Sequence, residues 1–89
     1  MNTDVASAER AVRDYLHQFG RFEHVALIFE AHEIGEEGWQ FRVRPANPYF
    51  RRHRQDLSIA LFVDRRDGKV HTIPSYGVKG LVAKLRGDF

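Results

Sequence analysis

The chain has 89 residues, room for one domain with one modest core, and its 43% hydrophobic and 29% charged content fits a globular rather than a disordered chain. It carries no apolar run near the ~18 residues of a membrane span, no signal-peptide pattern in the polar, acidic MNTDVASAER, and no cysteine, which excludes disulfides, thiol catalysis and thiolate metal sites and leads us to expect a cytoplasmic protein. The net charge of +2 is spread unevenly, −5 over residues 1–41, +5 over 42–69 and +2 over 70–89, so folding either separates an acidic from a basic surface or interleaves and cancels them.

In chain order, TDVASAERAVRDYLHQFG predicts an amphipathic helix. Val5, Ala8, Val12, Tyr15, Leu16 and Phe19 recur on one face. Thr3 or Asn2 is the expected cap, with Asp4 and Glu9 early in the helix, and Gly20 is placed to stop it. FEHVALIFEAHEI has a period of two and predicts a strand. Val25, Leu27, Phe29 and Ala31 form its buried face; His24, Ala26, Ile28, Glu30 and His32 form a mixed one. GEEG then reads as a hairpin turn. WQFRVRP is the clearest strand: Trp39, Phe41 and Val43 face one way, Gln40, Arg42 and Arg44 the other, and Pro45 ends it.

Residues 45–56 contain Pro45 and Pro48 and no clean periodicity, which predicts a loop. LSIALFVD is apolar on both parities and predicts a central strand. RRDG is a turn, and KVHTIPS a fourth strand whose Pro74 marks an edge or an end. GVKGLVAKLRG predicts a short helix on Val78, Leu81, Val82 and Leu85, with Gly80 as its weak point. Strands joined largely by short turns pair antiparallel. The expected class is therefore α+β: a single two-layer domain over residues 1–89, its N-terminal helix packed on a four-stranded antiparallel sheet, with a short C-terminal helix.

Chemistry-bearing patterns are sparse. His24 and His32 share a strand face but stand about 26 Å apart at ~3.3 Å per residue, and no HExxH or comparable ligand spacing occurs. None of Ser7, Ser58 and Ser75 lies in a nucleophile elbow, and no phosphate-cradling glycine loop is present. The expectation is a non-enzyme without cofactor or metal. The stretch NPYFRRHRQD sets Tyr49 and Phe50 beside Arg51, Arg52, His53 and Arg54, after Arg42 and Arg44 on the preceding strand. Arg42, Arg44, Tyr49, Arg51, Arg52 and Arg54 are the candidate partner-binding residues. Arginine and aromatics suit a protein interface; they also suit nucleic-acid phosphates and bases, with the arginines of residues 42–66 as the footprint. A small holdase-like chaperone is a further alternative, and an exposed edge strand offers a route to a homodimer.

From Gly38 onward, GWQFRV, a polar loop, ALFVDRRDGKVHTIPSYG and a closing amphipathic segment follow one another. This order resembles the YrhB-like bacterial immunity domains, small α+β domains of toxin–immunity systems, with Gly38, Trp39, Phe41, Val63, Asp64, Gly68, Val70 and His71 matching the pattern. The basic loop is no part of that pattern. The resemblance implies a domain that binds and neutralises a toxin partner in the cytoplasm, and it transfers no catalytic residue.

Overall fold

A computed structural model describes residues 4–18, 20, 26–53 and 58–87. The first element is helix α1, Val5–Gln18. The Asp4 carboxylate accepts a 2.8 Å hydrogen bond from the Ser7 backbone N–H, which caps the helix and holds the Asp4 carboxyl below its ordinary pKa. Asp4 thus does the capping expected of its neighbours; Thr3 and Asn2 lie outside the described residues. Ala8, Val12 and Leu16, one turn apart, are the buried stripe. Gly20 takes φ 64° and donates its N–H to the His17 carbonyl, the left-handed stop that the sequence predicts.

Four strands follow: β1 (Leu27–Ile34), β2 (Gly38–Pro45), β3 (Ile59–Asp64) and β4 (Val70–Thr72). They form one antiparallel sheet in the order β1-β2-β3-β4, each strand beside its neighbour in sequence. The strand apolar on both parities, β3, is central, and the strand ending near Pro74, β4, is an edge. Trp39 opposite Val63 and Phe41 opposite Leu61 form the middle of the core, with Val43 beside them, all beneath α1. Leu27 and Phe29 of β1 join this core in part, whereas Ala31 on the same face is exposed because β1 is the outermost strand. Residues 21–25, including His24 and Val25, lie outside the described residues.

Gly38 shows why β2 must open on glycine. Its φ is 154°, and a Cβ there would lie 2.1 Å from the Val63 carbonyl oxygen. Only a hydrogen in that place lets β2 start so close to β3.

The predicted loop over residues 45–56 contains a helix, α2, Pro48–His53. The Asn47 side chain accepts a 2.8 Å hydrogen bond from the Tyr49 N–H, and Pro48 follows it. Asn as cap and Pro at the first helical position are a helix-start signature, because proline lacks the very N–H that a first turn leaves unbonded. A helix of six residues has too few turns to display a period, and Pro45 and Pro48 are the stronger local signal.

Helix α3, Val78–Leu85, lies beside β4 on the face opposite α1. Alternation puts Phe62 and His71 on that face as cross-strand neighbours, their ring centroids 6.4 Å apart, and Phe62 is fully buried. Leu81 is the buried residue of α3. Gly80, a weak point by helix propensity, has a packing reason: a Cβ there would meet the Tyr76 ring at 2.3 Å. The fold is α+β as expected, with α3 adding partial cover to the second sheet face. Among the described residues no helix is long and apolar enough to cross a membrane.

Candidate partner-binding surface

Strand alternation gives the face opposite α1 Ile28, Glu30 and His32 from β1, Gln40, Arg42 and Arg44 from β2, and Ala60 and Phe62 from β3. Helix α3 lies against the β4 end of this face. Toward the start of β3 the face opens into a shallow groove of about 460 Å³, lined by Arg42, Arg44, Ser58, Ile59 and Ala60. Glu30 stands opposite Arg42 and diagonal to Arg44, and it is Arg44 that it binds, in a short charge-assisted hydrogen bond. The Nε of Arg44 is buried with no partner among the described residues. Arg42 is exposed and forms no ion pair among the described residues.

Helix α2 packs against β2 and extends this edge of the molecule. It presents Tyr49, 62% exposed, and the exposed Arg52. The structure therefore gathers Arg42, Arg44, Tyr49 and Arg52 onto β2 and the helix that follows it. The side chain of Arg51 and the whole of Arg54 lie outside the described residues.

The opposite end of the sheet uses arginine differently. Arg86, just past α3, donates from Nη1 and Nη2 to the two carboxylate oxygens of Asp64, at 2.7 and 3.1 Å, and from Nε to Glu37 at 2.6 Å. Asp64 is only 4% exposed. Burial disfavours its charge, but the Arg86 hydrogen bonds and the Arg66 backbone N–H outweigh that, so its carboxyl sits below the usual range. The same hydrogen bond to Asp64 raises the pKa of Arg86 further against the cost of burial, so the guanidinium is charged throughout. Arg65 bonds Glu33 at 3.0 Å and lies 4.6 Å above the Trp39 ring, on the α1 side. The sequence marks the RRDG turn beside Asp64 but gives no sign of Arg86 as the partner of Asp64, because nothing local links positions 22 apart.

Arg65 and Arg66 follow the end of β3, whereas Arg42 pairs with Ala60 near its start. At ~3.3 Å per residue these groups stand about 16 Å apart along the sheet. Among the described residues the arginines of 42–66 therefore form two separate groups, Arg42, Arg44 and Arg52 in one and Arg65 and Arg66 in the other, with Arg65 bonded to Glu33.

Comparison with protein families, curated proteins and solved structures finds no match. The residues that carry the resemblance to immunity domains have plain structural roles. Gly38 permits close approach, Trp39, Phe41 and Val63 are core, and Asp64 and Gly68 close the β3–β4 turn through the Gly68 N–H to Asp64 carbonyl hydrogen bond of 2.8 Å. None of the eight is exposed. The pattern thus encodes how the sheet folds. Among the described residues no three His, Asp or Glu side chains cluster as metal ligands.

Proposed function

We propose that this chain is a non-enzymatic protein-binding domain of the immunity or inhibitor type, which meets a partner protein with the uncovered part of its second sheet face and with α2. The observation that supports this reading is the composition of that surface. Ile28, Ala60 and the exposed Tyr49 stand beside Arg42, Arg52 and an Arg44 already held by Glu30. Apolar and aromatic area interleaved with oriented arginine is the make-up of protein interfaces. A phosphate-tracking surface needs its cations to converge, and here Arg44 and Arg65 are each bonded to a glutamate and stand at opposite ends of the sheet. A cationic groove of this kind suits an acidic patch on a toxin-like partner, speeding encounter and selecting orientation.

Site-specific photo-crosslinking tests the reading. A photoreactive residue is placed at Arg42, and as a control at the exposed Arg10 of α1, with the chain expressed beside the products of the adjacent genes. A discrete crosslink to one protein from position 42 alone is the expected result. Equal crosslinking from both positions, or tight nucleic-acid binding at ~50 mM salt that Arg42→Glu abolishes, would overturn it in favour of the phosphate-binding alternative.

A further inference from the structure

The two edges of the sheet are built differently. β4 is three residues long and is soon followed by Pro74, the short, proline-bounded form in which edges are kept from pairing. β1 is eight residues long, holds no proline, and among the described residues has no strand on its outer side.

The phase of its hydrogen bonds shows what that outer side offers. Ala46 donates to the Ala26 carbonyl at 2.9 Å, so Ala26 and Ala46 are a hydrogen-bonded pair. In an antiparallel ladder such pairs alternate, so Ile28, Glu30 and His32 turn their backbone groups inward to β2. Phe29, Ala31 and Glu33 therefore turn theirs outward. The same phase explains Pro45, which faces Leu27 at a position where β1 requires no N–H.

We propose that β1 pairs antiparallel with β1 of a second copy about a two-fold axis through Ala31, joining two four-stranded sheets into one. In that register Ala31 bonds Ala31 of the second copy through both outward groups, and Phe29 bonds Glu33 of the second copy. A two-fold axis perpendicular to the sheet keeps each face continuous, so α1 of both copies lies on the same side.

Side-chain complementarity favours this register. On the face opposite α1 it sets Glu30 against His32 of the second copy, twice. On the α1 face it sets Glu33 of the second copy against Phe29, whose ring carries the Arg13 guanidinium at 4.1 Å. Ile28 meets Ile34, and the smallest side chain of the strand lies on the axis. Moving the axis to Glu30 would oppose two carboxylates directly, and moving it to His32 would oppose two imidazoles and leave Glu30 against Ile34. The pairing also extends the groove-bearing face across both copies, and it holds whether or not that face binds a partner.

The test uses the full chain in sedimentation equilibrium over a wide concentration range. A mass rising to twice the 10.4 kDa of the chain is expected. Ala31→Pro deletes an outward N–H that β2 does not use, so it should leave the circular dichroism unchanged and weaken dimerisation roughly tenfold or more. The chain has no cysteine, so single cysteines report the register if that variant misfolds. Under mild oxidation Ala31→Cys should crosslink to itself, its Cα atoms about 5.5 Å apart, and Glu33→Cys should not. A monomer at every concentration, a dimer untouched by a folded Ala31→Pro, or equal crosslinking from both cysteines would overturn the proposal.

Discussion

Arginine does opposite work at the two ends of this sheet. At the turn end, Arg86 grips Asp64 and Glu37 while Arg65 covers Trp39 and bonds Glu33. At the open end, Arg42 and Arg52 stand in solvent and Arg44 has one glutamate. Burial decides the difference. A guanidinium out of water must have its charge and its donors matched, and the bidentate fit of Arg to a carboxylate does this with good geometry. An exposed guanidinium has water, so its position is free to serve a partner. Residue type alone therefore says little; the depth at which a charge sits separates a fastener from a contact.

Three variants sharpen this contrast, beginning with the largest effect. Trp39→Ala empties the core beneath Arg65 and should destabilise the fold by about 3–5 kcal/mol in urea titration, with a broadened spectrum if the turn end loosens. Arg86→Met leaves the buried Asp64 without its cation and should cost about 3 kcal/mol near neutral pH. It also changes the pH profile. The Asp64 carboxyl is held below its ordinary value of ~3.9, so its contribution is complete above that value and is lost as pH falls through the lower folded value. In Arg86→Met the folded value rises, and the acid loss of stability should flatten; an unchanged acid limb would show that Asp64 is not the group responsible. Arg42→Ser combined with Arg52→Ser should shift stability by no more than about 0.5 kcal/mol each, while removing whatever the open surface binds. A large loss of stability there would mean that the open end, too, is a fastener.

Much of the fold was legible in local pattern. Period-two alternation announced β2, and two-sided apolarity announced β3 as central. Pro74 marked β4 as an edge or a strand end, and Gly20 marked the end of α1. The short helix α2 was not, because the prolines at its start resemble loop punctuation until the capping bond from Tyr49 to Asn47 is seen. Of the six candidate site residues, Arg42 and Arg44 were placed on one strand face by alternation alone, and Tyr49 and Arg52 by proximity. Glu30 as the partner of Arg44 required the β1–β2 register, and Arg86 required the docking of α3.

By itself the sequence determined the class of fold, the order of α1, the four strands and α3, and which faces of β1 and β2 turn to the core. These follow from side-chain spacing and turn chemistry, which act over a few residues. Tertiary structure alone decided which of the described arginines are held by carboxylates and which stand exposed, where α3 covers the second face, and why Gly38 must be glycine. Those outcomes depend on distances between residues far apart in the chain, and such distances exist only once the sheet has closed around its core.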